Sequence, residues 1–421
     1  MKQIELSAKS SQNDYYKWVV VALLWVVALL NYLDRQMLST MKPAMEIDIV
    51  ELQSATNFGR LMAIFLWVYG FMSPISGIIA DRLNRKWLIA GSLFVWSMVT
   101  LLMGYATTFH QMYWLRAIMG VSEALYIPAA LALIADYHSS KTRSLAVGIH
   151  MIGLYAGQAL GGFGDTVAQH FSWQATFHSF GLIGMCYSIV LIIFLKEYRG
   201  TNHTQTTTVA KPASVFTSLK ILFTNPAFLV LLFYFAIPSL PGWAIKNWLP
   251  TMFSDHLKID MSIAGPIATI TIAGSSLLGV ITGGLLSDKW VQTNLKGRVY
   301  ISAMGVFLAA IALFLLSRGN TMFYLTGAAF CFGFGFGMFD ANNMPILCQF
   351  VSPKYRATAY GLMNMTGVFF GAFITDFLGR SVDKGNLQRD FAVLAVLVLI
   401  VLIVQLKVLK PKTVDYLDEA P

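Results

Sequence analysis

Long apolar runs separated by short polar connections set the pattern of this chain. Twelve of these runs approach the roughly 20 residues that an α-helix needs to cross the hydrocarbon core of a bilayer. We predict spans over residues 18–40, 58–80, 87–107, 111–137, 143–165, 176–196, 225–250, 262–287, 298–317, 322–350, 356–379 and 390–409. The pattern therefore predicts an all-α polytopic membrane protein with twelve transmembrane helices.

The longest polar stretch lies between the sixth and seventh runs and is rich in Thr. A polar stretch of this kind is typical of a linker, here between two six-helix halves. The predicted organisation is a cytoplasmic N-terminal tail at 1–17, a first half at 18–196, a cytoplasmic linker at 197–221, a second half at 222–409 and a cytoplasmic C-terminal tail at 410–421.

Composition agrees with a membrane protein. Of the 421 residues, 56% are hydrophobic and 12% are charged, whereas soluble domains carry about a quarter charged residues. The three cysteines lie in or beside apolar spans without metal-ligand spacing, so we expect neither a disulfide framework nor a bound metal. Neither a phosphate-binding loop nor a Ser/His/Asp set stands out, which argues against an enzyme.

Positive charge sets the predicted orientation. The formal net charge is +9. Most of the 30 Lys and Arg residues lie in the two tails, in the linker and in those loops that the predicted spans place on the same side of the membrane as the tails. Cytoplasmic loops collect Lys and Arg, so both termini are placed in the cytoplasm and no nucleic acid is needed to explain the charge. We expect a multi-pass monomer in the lipid bilayer of the plasma membrane, or of the inner membrane in a bacterium.

Two loop motifs occur twice, once in each half. Gly77 to Lys86 reads Gly-Ile-Ile-Ala-Asp-Arg-Leu-Asn-Arg-Lys, and its counterpart after the eighth span keeps Gly284 and Asp288. The stretch 139–148 shares Ser, Lys, Arg, Ala and Gly positions with 352–361. Two independent matches in the same order indicate that the halves are structural repeats.

Arg116 and Glu123 are the only charged residues between Met112 and Ala135. They are two helical turns apart, so they share one helix face about 10 Å apart along the axis. Charge at membrane depth usually lines a cavity or pairs with a partner. Desolvation favours the protonated form of a carboxyl group. We therefore predict that Glu123 is the proton-coupling residue, which takes up and releases a proton during transport. A permanently paired structural glutamate is the alternative.

Asp34 and Arg35 are consecutive in the first span and point about 100° apart, so they cannot share one target. We predict a structural ion pair between Asp34 and Arg116, which lie at similar predicted depth. Arg35 then points into a central cavity, where its planar guanidinium can grip a substrate carboxylate. Asp34 is a second candidate for proton coupling. The alternative is that both residues reach the outer interface and contact water.

Other polar residues at membrane depth are candidates for substrate contacts. Pro238, Pro241 and Gly242 are expected to interrupt the seventh span, so that Lys246 either contacts the anion or extends to the outer interface. The amides of the tenth span suit sugar hydroxyls or a carboxylate, or else join helices. The candidate substrate-binding residues are Arg35, Tyr32, Tyr155, Gln158, Lys246, Asn342 and Asn343.

The loop from Gly77 to Lys86 resembles the G-x-x-x-D-R-x-x-R-K signature of the major facilitator superfamily, and the resemblance covers all twelve spans. This implies two rocking halves, with gating contacts at Gly77, Asp81, Arg82, Arg85, Asp288, Arg143 and Arg356. The copy at Asp288 lacks the Arg-x-x-Arg that follows the first, so its gating role is less well supported.

Three further patterns resemble the anion:cation symporter branch of that superfamily, which includes sugar-acid importers and sialin-type organic anion transporters. They are Asn-Tyr-Leu-Asp-Arg at 31–35, Arg116 with Gly120 and Glu123, and Asn-Trp-Leu-Pro-Thr at 247–251. In that branch the glutamate at the place of Glu123 couples protons. Spinster-type lipid transporters share the first two patterns, so that branch is a rival.

Residues and resemblance together predict a proton-coupled symporter of a small organic anion, such as a hexuronate, an aldonate or a sialic acid, without a bound cofactor. Protons are the expected coupling ion, and sodium stays open. One alternative is a Spinster-like transporter of lysolipid or another amphiphile, which needs a more apolar cavity. A second is a transporter-like nutrient sensor, which would usually carry a larger cytoplasmic domain than these loops can form.

Overall fold

The computed structural model describes residues 2–138, 142–197, 215–352 and 355–413, without the side chains of residues 2–14, 81, 82, 144, 215–218 and 357. Every regular element in these ranges is a helix. The first half holds α1 (Lys2–Thr40), α2 (Lys42–Asp48), a 3-10 helix (Val50–Gln53), α3 (Ala55–Arg82), α4 (Arg85–Met103), α5 (Phe109–Ala124), α6 (Tyr126–Tyr137), α7 (Arg143–Gly161), α8 (Gly164–Phe171) and α9 (Trp173–Phe194). The second half holds α10 (Val215–Thr224), α11 (Pro226–Leu257), α12 (Met261–Val291), α13 (Gly297–Ser317), α14 (Met322–Asp340), α15 (Asn343–Phe350), α16 (Arg356–Asp383) and α17 (Leu387–Val408).

Eleven helical segments of the described chain are long and apolar enough to cross a membrane, and the bent pair α7 and α8 makes a twelfth. The predicted all-α fold with twelve membrane helices is confirmed. Helices are the favoured solution because lipid offers the backbone no hydrogen-bond partners, so each segment must satisfy its own N–H and C=O groups. Spans 4 and 10 begin alike, since Thr108 and Thr321 each accept a backbone N–H at the helix N-terminus.

Spans 4 and 10 are each interrupted near their centre, which the sequence analysis did not predict. α5 ends at Ala124 just before α6 begins, and α14 ends at Asp340 just before α15 begins. A proline follows each break, Pro128 in α6 and Pro345 in α15. Proline has no N–H and its ring clashes with the carbonyl one turn earlier, so the helix is weakened there.

Spans 5 and 7 also differ from expectation. Span 5 bends by 47° between α7 and α8, where Gly161, Gly162 and Gly164 follow one another closely. The predicted interruption of span 7 is wrong, because α11 is continuous with Pro238 and Pro241 inside it. Both prolines are buried, and neighbouring helices allow a membrane helix to tolerate the hydrogen bonds that proline removes.

The ends of the predicted segments shift as well. α1 begins at Lys2, far ahead of the predicted start at residue 18, because residues 2–17 contain neither Gly nor Pro to stop a helix. α10 lies partly within the predicted linker. Residues 198–214 of that linker lie outside the described residues.

The two halves meet closely at the end of the bundle where α16 leads into α17, here called the far end. There the carboxylate of Asp383 accepts hydrogen bonds from Ser54 Oγ at 2.8 Å, Ala55 N–H at 2.8 Å and Thr56 N–H at 2.9 Å. On the other side of the bundle, Gln169 Nε2 donates to Asp260 Oδ1 at 2.7 Å. Helices α3 and α16 thus meet at the far end, and so do α8 and α12.

The opposite end, where α3 leads into α4, is called the signature end. Helices α3 and α16 stay in contact as far as the 2.9 Å hydrogen bond from Asn364 to Ser73. Beyond it, Gly77 of α3 and Gly361 of α16 have no atom within 4 Å of the position a Cβ would take. The described hydrogen bonds between the halves thus run from the far end as far as Ser73 and Asn364, and none of them lies nearer the signature end.

Candidate functional site

A cavity between the halves contains the two arginines of spans 1 and 4. About 260 Å³ of space not filled by atoms lies between these side chains, and part of it is open to the surroundings of the protein. Its walls combine guanidinium, amide and indole groups with apolar side chains from both halves. The lining residues are Arg35, Met62, Phe65, Leu66, Arg116, Trp243 and Asn247.

Glu123 lies in the last turn of α5, immediately before the break in span 4. Its Oε2 pairs with Arg35 Nε at 2.7 Å and accepts a second hydrogen bond from Asn31 Nδ2 at 2.9 Å. The Glu123 side chain is fully buried, and that of Arg35 is 11% exposed. Asn31 and Arg35 are one turn apart on α1, so both reach the same carboxylate.

This arrangement replaces the predicted Asp34–Arg116 ion pair. Asp34 instead accepts a hydrogen bond from Thr100 Oγ1 at 3.2 Å. The described ion pairs do not include Asp34 with Arg116, although the two charges still interact electrostatically. The expectation failed because it matched charges by depth, whereas helix rotation turns Arg35 toward Glu123.

Aromatic rings hold both guanidinium groups in place. The Arg35 carbon Cζ lies 5.1 Å from the ring centre of Tyr32, 4.8 Å from Phe65 and 4.8 Å from Tyr69. Arg116 Cζ lies 4.5 Å from the ring centre of Phe65. Cation–π contacts of this kind stabilise a cation without neutralising it. The Phe65 ring therefore contacts both guanidinium groups, and this contact leaves their positive charge in place.

Several buried polar atoms of this site have no hydrogen-bond partner among the described residues. They include Arg35 Nη2, Arg116 Nε and Glu123 Oε1. Among the described hydrogen bonds, Arg116 Nη1 donates to the sulfur of Met119 at 3.1 Å, and thioether sulfur is a weak acceptor. Leaving a buried donor unsatisfied is costly, so the guanidinium nitrogens are suited to receive an acceptor from a ligand.

The second half contributes a lysine and an aspartate. Lys246 Nζ lies 4.3 Å from the ring centre of Phe336, and its backbone carbonyl accepts a hydrogen bond from Gln36 of the first half at 3.3 Å. Lys246 is half-buried inside the bundle and interacts electrostatically with Asp340 and Arg35. The alternative that Lys246 extends to the outer interface is wrong.

The amides of span 10 take separate roles. Asn343 Nδ2 donates to Asp340 Oδ1 at 3.1 Å, and Asn342 Nδ2 donates to the Met338 carbonyl at 2.8 Å. The Oδ1 atoms of both asparagines are buried without a partner among the described residues. Asn343 therefore positions Asp340, and a contact of either amide with substrate stays a prediction.

The remaining predicted substrate contacts lie on α1 and α7. Tyr32 and Tyr155 are half-buried and interact electrostatically with each other and with Asp340. Gln158 is 2% exposed, and its Nε2 has no described partner. Their predicted contact with substrate remains a prediction.

The predicted gating residues are at the signature end. The side chains of Asp81 and Arg82 lie outside the described part, and Gly77 faces open space. Arg85 pairs with Asp136, and Asp288 lies 3.5 Å from Arg298. These pairs join helices within one half, so the gating role of the loop residues stays a prediction.

Arg143 and Arg356 make matching contacts, as the sequence repeat leads one to expect. Arg143 Nε donates to the His138 carbonyl at 3.3 Å, and Arg356 Nε donates to the Val351 carbonyl at 3.0 Å. In each half the arginine thus ties the start of one span to the end of the preceding one.

Several residues of the site were missed from sequence, among them Asn31, Phe65 and Trp243. Asn31 was recognised only as part of a motif, although its one-turn spacing from Arg35 could have identified it as a partner of the same group. Phe65 and Trp243 lie in apolar runs that do not distinguish a cavity wall from a lipid-facing or packed ring. No local signal marks such residues.

Comparison with known proteins agrees with the fold. The sequence profile of the Major Facilitator Superfamily matches residues 24–375. Protein spinster homolog 1 of Xenopus laevis is 28% identical over 401 residues, which cover 87% of this chain and 74% of that protein. The chloroplastic ascorbate transporter of Arabidopsis thaliana is 24% identical over 406 residues, which cover 92% and 75% of the two chains.

Among solved structures, the chain is similar to a bacterial homolog to the human lysosomal transporter Spinster, crystallised in an inward-facing and unoccupied conformation. The TM-score is 0.79 at 19% identity, and the match covers 93% of this chain and 96% of that chain. At this identity the likeness concerns the fold alone.

Proposed function

The chain belongs to the major facilitator superfamily and is a membrane transporter, and we propose that it moves a small organic anion together with protons by alternating access. The observation that carries this proposal is the pair of guanidinium groups of Arg35 and Arg116 on one cavity, each with a buried nitrogen that lacks a described partner. A carboxylate suits such donors because guanidinium nitrogens bind its two oxygens in a fixed geometry.

Charge balance supports the coupling to protons. The described ionisable groups at the centre of the bundle are three bases and three carboxyl groups, and the set carries no net charge when all six are ionised; they are Arg35, Arg116, Lys246, Asp34, Glu123 and Asp340. Bringing an anion into this balanced, low-dielectric set adds uncompensated charge. A proton that enters with the anion restores the balance, so each favours the binding of the other.

Glu123 is the group at which proton and anion are linked. In the structure, Glu123 Oε2 pairs with Arg35 Nε at 2.7 Å. Protonation of Glu123 removes the negative charge that holds Arg35, and the guanidinium then turns its donors to the substrate carboxylate. Release of the anion lets Glu123 return its proton and pair with Arg35 again.

A thermal-shift screen tests this function. The full chain, purified in detergent, is heated with glucuronate, gluconate, a sialic acid, amino acids and lysophospholipids at acidic and at neutral pH. We expect an organic anion to raise the melting temperature, more at acidic pH. At a concentration near one hundred times Kd, the ligand adds about 2.7 kcal/mol to the stability.

Three variants sharpen the screen. Arg35→Ala should weaken binding of the anion by about 30-fold or more, since losing one member of a buried charge pair costs at least about 2 kcal/mol. Arg35→Lys keeps the charge without the planar fork and should bind with intermediate affinity. Arg389→Ala removes an arginine that is 68% exposed at the far end and should bind normally. If the organic anion raised the melting temperature of Arg35→Ala as much as that of the wild type, the proposal would be contradicted.

A Spinster-like transporter of amphiphiles is the second candidate. It is favoured by the 28% identity to a spinster homolog and by the apolar side chains Met62, Phe65, Leu66 and Trp243 in the cavity wall. The same screen separates the two functions. Stabilisation by lysophospholipids alone, with no response to water-soluble anions, favours the amphiphile.

A further inference from the structure

The central acidic residue of span 4 has a counterpart in span 10. Glu123-Ala-Leu-Tyr-Ile-Pro128 and Asp340-Ala-Asn-Asn-Met-Pro345 share the acidic residue, the alanine and the proline at the same spacing. In the fold, each acidic residue lies at the end of the first helix of a broken span, α5 or α14. The two carboxyl groups therefore occupy equivalent places in the two halves.

The basic residue has a counterpart too. Arg35 lies in span 1, the first span of its half, and Lys246 lies in span 7, the first span of the other half. Arg35 pairs with Glu123, and Lys246 interacts electrostatically with Asp340. Each half thus places one cation of its first span near one carboxylate of its fourth.

The two pairs differ in contact. Arg35 and Glu123 touch at 2.7 Å, whereas the described ion pairs within 4.0 Å do not include Lys246 with Asp340. Lys246 Nζ lies instead over the Phe336 ring at 4.3 Å, one turn before Asp340 on α14. Asp340 keeps a hydrogen bond from Asn343 as its described partner.

The described groups of other helices that interact electrostatically with Asp340 come from four helices. They are Tyr32 of α1, Tyr155 of α7, Lys246 of α11 and Tyr360 of α16. The three tyrosines are neutral donors or acceptors, so Lys246 is the one cation among the described groups that interact with Asp340.

We propose that Asp340 is a second proton-coupling residue, equivalent to Glu123, and that its protonation leaves the charge of Lys246 uncompensated, so that the ammonium attracts the transported anion. This inference rests on the proposed function and adds to it a second coupled proton. The proton passes from cavity water to an Asp340 carboxylate oxygen, without any other bond being made or broken. Lys246 then keeps its charge and has lost its nearby carboxylate.

Infrared titration of the full chain in liposomes tests the site without any substrate. The carbonyl stretch of a protonated carboxyl group is followed against pH in the wild type, Asp340→Asn and Asp255→Asn. We expect Asp340→Asn to remove one titrating band, while Asp255→Asn, at an exposed position on α11, leaves that band in place. If the wild type and Asp340→Asn showed the same set of titrating carbonyl bands, the proposal would be overturned.

Lys246→Met covers the case in which Asp340→Asn does not fold. Removing the cation withdraws electrostatic support from the Asp340 carboxylate, so its protonated band should persist to higher pH than in the wild type. A band with an unchanged midpoint would contradict the assignment.

Transport measurements test the coupling itself, with glucuronate as the probe. A monoanion that enters with two protons carries net positive charge, so an inside-negative potential should accelerate uptake into liposomes. In Asp340→Asn one proton remains, the step is electroneutral, and the acceleration should disappear while a pH gradient still drives uptake. If the membrane potential accelerated glucuronate uptake equally in the wild type and in Asp340→Asn, the proposal that Asp340 couples a second proton would be overturned. If glucuronate is not transported at all, the proposed sugar-acid function fails, and the infrared titration alone decides the role of Asp340.

Discussion

Arg35 is the residue on which the contacts of the first half converge. One edge of its guanidinium binds Glu123, and its faces contact the rings of Tyr32, Phe65 and Tyr69. These contacts fix the direction of the side chain at low cost in conformational entropy. The unpartnered Nη2 is therefore preorganised for a ligand.

Glu123→Gln is expected to separate proton coupling from substrate binding. Without a proton to exchange, uptake driven by a pH gradient should be lost, while counterflow exchange of a bound organic anion should continue. The measurement is uptake and counterflow in liposomes, with the sugar acid that gives the largest thermal shift. A variant that keeps both activities unchanged would show that Glu123 does not carry the coupled proton.

Stability provides an internal control for that variant. Glu123→Gln leaves the buried Arg35 without its counter-ion, which we expect to cost up to about 3 kcal/mol. The double variant Arg35→Met with Glu123→Gln removes both charges and should recover most of the loss, because neither member then stays unpaired. Melting temperatures of the purified variants check this. If the melting temperature of the double variant did not recover, the loss in Glu123→Gln would not come from the unpaired charge of Arg35.

At the scale of elements, glycines at the crossing of α1 and α7 let these two helices approach closely. Gly157 of α7 lies directly against the backbone of Leu29 in α1, and Gly153 lies against Trp25 one turn earlier. Small residues at this spacing let two membrane helices approach closely. The crossing holds α1, and with it Arg35, against the rest of its half.

Gly157→Val should therefore destabilise the protein by about 1–3 kcal/mol, the usual cost of overpacking. Gly148→Val is the matched control on the same helix, because no described atom lies within 4 Å of its Cβ position. Melting temperatures of the two variants provide the comparison. Equal losses would show that helix propensity, and not the crossing with α1, sets the effect.

Helix identity was predictable from sequence, and helix interruption was not. Membrane spans follow from apolar length, which is a local property. The same residue type acted differently in two places, since Pro128 follows a break while Pro238 lies inside the continuous α11. Whether a proline breaks a helix depends on the neighbours that compensate its missing hydrogen bond, and these come from distant parts of the chain.

At the scale of the whole molecule, Asp383 links the halves at the far end. Its carboxylate, at the C-terminus of α16, accepts two backbone N–H groups and one hydroxyl from the start of α3. A carboxylate at a helix N-terminus is stabilised by the unpaired N–H groups and the helix dipole. These contacts must break for the halves to part at the far end.

Asp383→Ala should shift the protein toward the conformation that is open at the far end and closed at the signature end. Spin labels at exposed Leu83 and Asn294, in a background without the three cysteines, report the separation of the halves at the signature end. We expect a new population at shorter distance. Asp390→Ala is the control, because Asp390 accepts its hydrogen bond from Ser381 of the same half. The same distances in wild type and Asp383→Ala would argue against the link.

The sequence by itself determined the membrane fold, the number of spans, the repeat of two halves and the identity of Arg35, Glu123 and Arg116 as central residues. These properties are local, because apolar length, motif spacing and charge at membrane depth can be read along one segment. Tertiary structure decided the partners. It paired Glu123 with Arg35 instead of Asp34 with Arg116 and placed Lys246 over Phe336. Helix rotation and packing between distant spans choose among charges of similar depth, and no single segment encodes that choice.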